Sequence, residues 1–232
     1  MPVTGSTNAD LAALAAAGEP AGLVLVAGEQ TAGRGRLGRA WVAPAGTALT
    51  FSVLLRPAVP ANRLGWLPLV CGLAVVDAVR EAAGLEVGLK WPNDVLAGER
   101  KLAGILVERV GGTDAAVAGI GINVGMSEGQ LPVPTATSLA VELGSAAPSV
   151  DEVLAVVLVR LADRCAAWQA GADQSADYRA ACRTLGRPVR VEVPAGPALA
   201  GTARDVDADG RLLVDTGHEV VAVAAGDVVH VR

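Results

Sequence analysis

The sequence predicts an α+β protein made of a larger mixed domain and a smaller all-β domain. Helical and strand patterns are interleaved as far as residue 185. From Gly186-Arg187-Pro188 onward, short strands alternate with turn residues, a pattern typical of a small β-barrel. The 232 residues are 52% hydrophobic, which is enough for a sizeable core. We therefore expect domains over residues 1–185 and 186–232.

Four helices are predicted in the larger domain from their caps and apolar runs. Two of the runs stop at Gly18 and Gly84, and glycine is the usual residue just beyond a helix C-terminus. The triplet Ser6-Thr7-Asn8 supplies N-cap residues for the first helix, and Ser149-Val150-Asp151-Glu152 has the spacing of a capping box. The predicted helices are Ala9–Ala17, Leu67–Ala83, Ser149 to about Gln169, and Ala176–Leu185.

Strands are predicted where short apolar runs are bounded by Gly, Pro, Asn or Asp. In the larger domain the runs are Leu23–Val26, Ala48–Leu55, Val87–Trp91, Val95–Leu96, Leu102–Glu108 and Ala115–Val124. In the smaller domain they are Val189–Val193, Ala198–Val206, Arg211–Asp215, Glu219–Val223 and Val228–Val231. Turn signals such as Pro194-Ala195-Gly196 and Asp207-Ala208-Asp209-Gly210 separate the second set.

Composition and charge exclude several classes of protein. The formal net charge of −5 and a pI near 5.1 disfavour broad nucleic-acid binding, which needs a basic surface. No apolar run reaches the roughly 20 residues that span a bilayer, and the first residues lack the features of a signal peptide. Three scattered cysteines, Cys71, Cys165 and Cys182, form no CxxC pair. We therefore expect a cytoplasmic, reduced protein.

The residues available for catalysis are also restricted. The two histidines, His218 and His230, both fall in the terminal strands, which excludes a histidine-dependent triad in the larger domain. The sequence contains no HExxH, no Cys/His cluster and no GxxxxGK[ST], which argues against zinc catalysis and P-loop chemistry. Arg, Lys, Asn and Asp remain, and these suit phosphoryl or nucleotidyl transfer by positioning and charge stabilisation.

The segment Gly33-Arg34-Gly35-Arg36-Leu37-Gly38-Arg39-Ala40-Trp41, here called the arginine loop, carries the strongest signal. Its three arginines suit bidentate capture of a phosphate or carboxylate, and its glycines allow close backbone approach to a ligand. A solvated basic turn is the alternative. Gly33, Gly35 and Gly38 also satisfy GxGxxG, but loop residues 41–46 follow where a dinucleotide-binding helix should begin. We therefore predict an anion-binding loop.

Three further segments carry polar residues at the ends of predicted strands or inside them. In Lys90-Trp91-Pro92-Asn93-Asp94-Val95 the amide and carboxylate can hold magnesium, orient water or accept a proton, or they form a plain turn. Lys101 opens Lys101-Leu102-Ala103-Gly104-Ile105-Leu106, either as a functional cation or as an exposed strand-end lysine. In Gly119-Ile120-Gly121-Ile122-Asn123-Val124 the amide needs a partner, either an adenine edge or a backbone group.

Taken in order, these segments resemble the biotin protein ligase family, the biotin–acetyl-CoA-carboxylase ligases. The resemblance extends over nearly the whole chain, from Ser6-Thr7-Asn8 and Gln30 through the arginine loop to the terminal barrel. It implies a catalytic domain with a mixed sheet and helices, related to class II aminoacyl-tRNA synthetases, followed by a small SH3-like β-barrel. It also implies a two-step ligase that makes biotinyl-5′-AMP from biotin and Mg-ATP, then transfers biotin to a lysine of a biotin carboxyl carrier domain.

The resemblance also implies roles for individual residues. Lys101, Asp94 and Arg36 are the implied catalytic residues, with Asp94 as candidate base for the incoming lysine amine and as a magnesium contact, directly or through the phosphates. Biotin contacts are implied for Ser6, Thr7, Asn8, Gln30, Arg34, Gly35, Arg36, Lys101 and Gly104. ATP contacts are implied for Arg36, Arg39, Trp41, Lys90, Asn93, Asp94 and Asn123, of which Trp41 and Asn123 serve the adenine.

Two other functions stay open on the sequence. One is a lipoate or octanoate ligase of the same fold group, against which the arginine loop and the Lys90–Asp94 segment argue together. The other is a non-catalytic nucleotide- or nucleic-acid-binding protein that uses the arginine loop. Because only Met1–Gly5 precede Ser6, we expect a monofunctional ligase with no N-terminal DNA-binding domain and no DNA partner. The expected partners are biotin and the carrier domain, without membrane association, in a monomer or a homodimer.

Overall fold

Two antiparallel sheets, with helices packed on the larger one, form the architecture of the computed structural model, which describes residues 1–193 and 196–231. The strands are β1 (Val3–Thr4), β2 (Val24–Ala27), β3 (Glu29–Gln30), β4 (Ala48–Leu55), β5 (Val87–Lys90), β6 (Asp94–Ala97), β7 (Arg100–Arg109), β8 (Ala116–Asn123), β9 (Pro188–Glu192), β10 (Leu199–Val206), β11 (Leu212–Asp215), β12 (Val220–Val223) and β13 (Asp227–His230). The α-helices are α1 (Thr7–Ala16), α2 (Leu67–Ala83), α3 (Leu139–Leu143), α4 (Val150–Gln169) and α5 (Ser175–Ala181).

The larger sheet has six strands in the order β2-β4-β8-β7-β6-β5, and all of its ladders are antiparallel. Parallel pairing occurs beside it, where Val3 and Thr4 of β1 pair with Glu29 and Gln30 of β3. The mixed sheet that the resemblance implies is therefore divided between a six-stranded antiparallel sheet and a separate parallel pair. This pair holds Gln30 next to the start of α1, where the side chain of Gln30 accepts a hydrogen bond from the backbone of Thr7.

Helices α2 and α4 cover one face of the larger sheet, and α1 covers the other. Side chains alternate between the faces of a strand. In β4, Phe51 therefore packs in the core with α2 and α4, whereas Leu54 packs with Leu11 of α1. Helix α2 packs closely on β5 at Gly72, where a Cβ would lie 2.9 Å from a methyl carbon of Leu89. No helix among the described residues is long and apolar enough to cross a membrane.

The smaller sheet has five antiparallel strands in the order β12-β11-β10-β9-β13, which is compatible with the predicted small barrel. Two indole groups of the larger region hold its β10–β11 turn. Trp66 Nε1 donates to the carbonyl oxygen of Ala208 at 3.0 Å, and Trp91 Nε1 donates to that of Gly210 at 3.1 Å. The predicted turn at Pro194-Ala195-Gly196 falls partly outside the described residues.

The observed elements follow the predicted ones closely, with differences at helix ends and in short segments. Strand β4 and helix α2 have the predicted bounds. Helix α1 begins at Thr7 because Ser6 alone caps it, so Thr7 and Asn8 lie in its first turn. The last predicted helix ends at Ala181 rather than Leu185, because Cys182 is extended and forms a parallel bridge with Leu89. The two-residue strand β1 and the five-residue helix α3 are not predicted from the sequence.

Candidate active site

A small cavity of about 120 Å³ lies where the start of α1, the arginine loop and strands β4, β7 and β8 meet. All of the residues for which the resemblance implies biotin contacts line this cavity. They are Ser6, Thr7, Asn8, Gln30, Arg34, Gly35, Arg36, Lys101 and Gly104. Arg36 and Asn93, assigned to ATP, line it as well. Residues from four separate segments of the chain are therefore brought together as the sequence predicts.

A connected set of hydrogen bonds fixes the α1 side of the small cavity. Gln30 Oε1 accepts from both the backbone nitrogen and the hydroxyl of Thr7, at 2.8 and 3.0 Å. The hydroxyl of Ser52, which is fully buried in β4, lies 2.7 Å from Thr7 Oγ1 and 2.6 Å from Asn8 Oδ1. Buried polar groups that are paired in this way hold one orientation. The α1 side of the cavity is therefore preorganised.

The same network continues across β7 and β8 to the arginine loop. Asn8 Nδ2 donates to Glu108 Oε2 at 2.7 Å, and Glu108 forms an ion pair with Arg34 at 3.6 Å. A Cβ at Gly119 would lie 2.2 Å from Asn8 Oδ1, so only glycine leaves room for this amide. The orientation of Asn8 thus depends on Gly119, a residue of β8 more than a hundred positions away in the sequence.

The arginine loop is a closed hairpin rather than an open turn. Arg34 forms a bridge with Ala40, Gly35 N donates to Arg39 O at 2.7 Å, and Trp41 N donates to Gly33 O at 2.9 Å. At its tip Leu37 has a φ of 55°, in the left-handed region that costs a residue with a Cβ about 1–3 kcal/mol. Such strain is common at binding loops.

The three arginines of this loop have different surroundings. The guanidinium of Arg36 is held within 3.4 Å of Asn93 Oδ1, and its burial lowers its pKa against the opposing fields of Asp227 and Asp94. Arg39 reaches the smaller sheet and forms an ion pair with Asp227, whose hydrogen bond raises the pKa of Arg39. Arg34 keeps about half of its side chain exposed. Arg36 is therefore the loop cation that is most withdrawn from water.

Asp94 and Lys101 form a close ion pair beside Arg36. Lys101 Nζ lies 2.6 Å from Asp94 Oδ1, and the ladder between β6 and β7 shifts register at Val95–Leu96, near this pair. Such irregularities commonly re-aim side chains next to active sites. This contact with Lys101 occupies the buried Oδ1 of Asp94, which has no other polar partner among the described residues. The backbone of Lys101 is tied to the loop before α3 by hydrogen bonds with Thr135 and Thr137.

A larger cleft of about 770 Å³ opens from the same charged pair. It shares six lining residues with the small cavity: Arg39, Ala40, Trp41, Asp94, Lys101 and Asp227. Lys90 and Asn123, both assigned to ATP, also line the cleft. Of the residues assigned to ATP, only Arg36 and Asn93 are found in the small cavity and not in the cleft. The two spaces therefore meet at Lys101, Asp94 and Arg39.

Trp41 stands between the two spaces on a glycine floor. A Cβ at Gly121 would lie 2.4 Å from its ring, and one at Gly104 would lie 3.4 Å from it. Its buried Nε1 has no hydrogen-bond partner among the described residues.

The amide nitrogen of Asn123 is already used, since it donates to Thr137 O at 2.8 Å. Of the alternatives for that buried amide, the backbone partner is the one observed.

Comparison with known proteins identifies the family. Residues 1–126 match the model of the biotin/lipoate A/B protein ligase family, and residues 184–231 match the biotin protein ligase C terminal domain. The chain is 48% identical to the biotin–[acetyl-CoA-carboxylase] ligase of Mycobacterium tuberculosis, over 99% of this chain and 87% of that protein. The chain belongs to the biotin protein ligase family.

Two other members of the biotin protein ligase family are similar to this chain over nearly its whole length. The biotin–[acetyl-CoA-carboxylase] ligase of Paracoccus denitrificans is 36% identical, over 95% of this chain and 96% of that protein. The biotin protein ligase of Aquifex aeolicus, solved in complex with biotin and ATP, superposes with a TM-score of 0.86 at 32% identity, over 100% of this chain and 97% of that one. The resemblance stated from the sequence is confirmed, and so is an α+β fold with a catalytic domain and a C-terminal β domain; the SH3-like barrel is compatible with the five-stranded sheet.

Several residues that line the two spaces, or hold the side chains that line them, were not predicted from the sequence. Ser52 carries a usable signal, because Thr50 and Ser52 interrupt an otherwise apolar strand at alternate positions. Asp227, Arg187 and His230 carry no such signal, since they enter the larger cleft only through packing of the two sheets. Among the described residues, no group of three or more His, Cys, Asp or Glu side chains is arranged to hold a metal ion.

Proposed function

We propose that this chain is an ATP-dependent biotin ligase, which makes biotinyl-5′-AMP and then transfers biotin to a lysine of a biotin carboxyl carrier domain. The observation that carries the proposal is the junction of two spaces at Lys101, Asp94 and Arg39. One space is small and lined by a fixed polar network; the other is larger and lined by charge. The names of the relatives, and the Aquifex aeolicus complex with biotin and ATP, support the same reaction.

The small cavity suits biotin. The ring of biotin carries amide-like donors and acceptors, which the hydroxyl and amide groups of Ser6, Thr7, Asn8 and Gln30 can match. Because Thr7, Asn8 and Gln30 are already held by one another and by Ser52, little conformational entropy is lost when the ligand binds. The carboxylate of biotin then points toward Arg36 and Lys101, at the entrance to the larger cleft.

Activation brings together two anions, the carboxylate of biotin and the triphosphate of ATP. The cations around them reduce their mutual repulsion. A carboxylate oxygen of biotin attacks the α-phosphorus of ATP, a P–O bond forms, and the bond to the departing pyrophosphate breaks. Lys101 stands at the junction and Arg36 lines the small cavity beside it, where negative charge accumulates on the α-phosphate. On the cleft side Arg39 also binds the phosphates, which compete with Asp227 for its guanidinium. Positioning of the two reactants and stabilisation of the developing charge accelerate the reaction.

Magnesium enters this proposal as the partner of the phosphates. Asp94 offers a carboxylate whose buried oxygen is paired only with Lys101, and Asn93 stands beside it. A single carboxylate fits an ion whose other ligands are phosphate oxygens and water, the usual arrangement for magnesium at nucleotides. When bound there, the ion withdraws negative charge from the phosphates. Asp94 and Asn93 are the residues that would hold it.

Transfer requires a neutral lysine amine from the carrier domain. The amine attacks the acyl carbon of biotinyl-5′-AMP, an amide bond forms, AMP leaves, and the amine loses its proton. We assign Asp94 as the proton acceptor, because it is the carboxylate shared by both spaces on the larger sheet. Lys101, 2.6 Å from Asp94, holds the leaving phosphate.

We also propose that the chain divides between residues 185 and 186 into a catalytic domain and a C-terminal domain. The segment between the last residue of α5, Ala181, and the first of β9, Pro188, separates the helices from the second sheet. Asp227 and His230 of that sheet line the larger cleft, so the C-terminal domain contributes to the nucleotide side of the site.

Incubation of the chain with labelled biotin, ATP, magnesium and an unmodified carrier domain tests the proposal. We expect a labelled carrier and a biotinyl-5′-AMP intermediate when the carrier is omitted. Transfer of labelled octanoate in place of biotin would instead identify a lipoate or octanoate ligase. Nucleotide binding with no transfer of either acid would leave the non-catalytic binding protein as the function.

A further inference from the structure

We infer that a further cavity, separate from the active site, binds a small zwitterion of the free amino acid class. This cavity has a volume of about 460 Å³ and shares no lining residue with the small cavity or the larger cleft. Its walls come from the segment Ala61–Trp66 before α2, the end of α4, the start of α5 and the β10–β11 turn. Below, it is called the α4–α5 cavity.

Arg63 is a cation of the α4–α5 cavity that has no acidic partner. Its half-buried guanidinium lies over the ring of Trp168, 5.8 Å from the ring centroid, and donates to the carbonyl oxygen of Trp168 at 3.2 Å. Within the described part of the chain it forms no ion pair. A guanidinium held in this way keeps N–H groups for a planar carboxylate, which it can bind through two parallel hydrogen bonds.

The indole of Trp168 supplies an unsatisfied donor in the same cavity. Trp168 is 2% exposed and lines the cavity, and its buried Nε1 has no hydrogen-bond partner among the described residues. By contrast Trp66, which lines the same cavity, donates from its Nε1 to the carbonyl oxygen of Ala208 at 3.0 Å. A buried N–H group without a partner is costly. A ligand that brings an acceptor into the cavity would satisfy it.

An acidic side chain lines the cavity without pairing with Arg63. Asp173 accepts from the backbone nitrogen and the hydroxyl of Ser175, at 2.9 and 3.0 Å. These hydrogen bonds lower the pKa of Asp173, and the charges of Arg179 and Arg63 lower it further. A cation and a carboxylate that line one cavity without forming an ion pair leave room for a ligand that carries both charges.

The other charged side chains of the cavity are already paired. Arg179 donates to Asp205 at 2.6 Å, and Asp207 accepts from Arg211 at 2.7 Å. The cavity therefore offers one unpaired cation and one exposed carboxylate to a ligand. A ligand with no net charge matches this arrangement, whereas a phosphate or a dicarboxylate would place excess negative charge near Asp173 and Asp207.

The size and the apolar lining of the cavity agree with an amino acid. Trp66, Trp168 and Val206 provide apolar surface for its side chain. The volume of about 460 Å³ lies within the range of small-molecule sites. Because the β10–β11 turn forms one wall, a bound amino acid would also connect the smaller sheet to α4 and α5.

NMR titration of the full-length chain with each of the proteinogenic L-amino acids tests this inference. The chain has four tryptophans, so it gives four indole N–H signals, which Trp→Phe variants assign. We expect at least one amino acid to shift the signal of Trp168 and to leave that of Trp41 unchanged, because Trp41 lies at the active site and not in this cavity. No shift at Trp168 with any amino acid would overturn the inference, as would a shift at Trp41 alone.

The amino acid that shifts the Trp168 signal most is then compared with two of its derivatives. Its amide lacks the carboxylate that Arg63 would bind, and its N-acetyl form lacks the ammonium group that Asp173 would bind. Each should bind about tenfold more weakly or worse, the usual effect of losing a charged hydrogen bond. Equal binding of the N-acetyl form would assign the cavity to a peptide C-terminus and overturn the amino acid class.

Arg63→Gln should weaken binding of the same amino acid by about 10- to 100-fold. Arg80→Gln is the matched control, because Arg80 pairs with Glu86 at 3.3 Å and lies outside the cavity. Signals of Trp41 and Trp91 at their wild-type positions will show that Arg63→Gln is folded. Wild-type affinity in that folded variant would contradict the site. These titrations contain no biotin or ATP, so their outcome is independent of the proposed function.

Discussion

The small cavity and the larger cleft differ in how far their polar groups are already satisfied. In the small cavity, Thr7, Asn8 and Gln30 are hydrogen-bonded to one another or to Ser52 and Glu108. Where this cavity meets the cleft, Trp41 Nε1 donates no hydrogen bond among the described residues, and Asp94 Oδ1 contacts only the partly exposed Lys101. One space is preorganised for a ligand, whereas the other is completed by its ligand. Variants that affect one space and spare the other will test this difference.

Lys101→Ala should have the largest effect, because Lys101 lines both spaces. We expect biotinyl-5′-AMP formation in a single turnover to slow by about 100- to 1,000-fold, the typical effect of losing a preorganised charge contact at a transition state. Thermal unfolding should change little, since the ammonium group is partly exposed. Arg190→Ala is the comparison: Arg190 pairs with Glu192 and lines neither space, so this step should keep the wild-type rate.

Arg36→Ala should release the intermediate. Arg36 is the most withdrawn cation of the arginine loop and lines the small cavity beside Asn93. A charged hydrogen bond contributes about 1.5–3 kcal/mol, so we expect biotinyl-5′-AMP to dissociate about 10- to 100-fold faster. Arg204→Ala, which removes an arginine paired with Asp215 in the smaller sheet, is the control. Unchanged retention of the intermediate by Arg36→Ala would contradict a clamping role for the loop.

Substitutions at two glycines of β8 distinguish the small cavity from the cleft most directly. A Cβ at Gly119 would lie 2.2 Å from Asn8 Oδ1, and one at Gly121 would lie 2.4 Å from the ring of Trp41. Gly119→Ala should therefore raise KM for biotin, and Gly121→Ala should raise KM for ATP, each by about tenfold, since displacements near 1 Å are costly at such sites. Steady-state kinetics with each substrate varied will measure both constants.

Gly129→Ala is the matched control for this pair, because a Cβ there would meet no atom within 4 Å. If both Gly119→Ala and Gly121→Ala raised the two KM values equally, the small cavity and the cleft would respond as one site. The comparison between a preformed and a completed space would then be wrong.

The sequence predicted the small cavity better than the cleft for a physical reason. Its residues lie in short motifs whose local conformation is fixed by caps, glycines and strand ends, as with Ser6 at the start of α1. Helix α2 was predicted to the residue because an apolar run and Gly84 define it. By contrast, His230 and Asp227 reach the cleft only when the indoles of Trp66 and Trp91 hold the second sheet in place. Local patterns do not carry that information.

The smallest effect concerns pH and again separates the two spaces, because it depends on one residue of the cleft. The pKa of His230 is lowered in the fold by burial and by Lys90 and Arg187, so the unfolded chain binds a proton there more readily. Stability is therefore full above the ordinary histidine pKa and declines as the pH falls through it, between about pH 7.5 and 5.5. Thermal unfolding across this range should show a small fall in Tm for the wild type and a smaller one for His230→Gln. His218→Gln, which changes an exposed histidine of the same sheet, should keep the wild-type slope; equal slopes for all three proteins would show that His230 is not held neutral by its cationic neighbours.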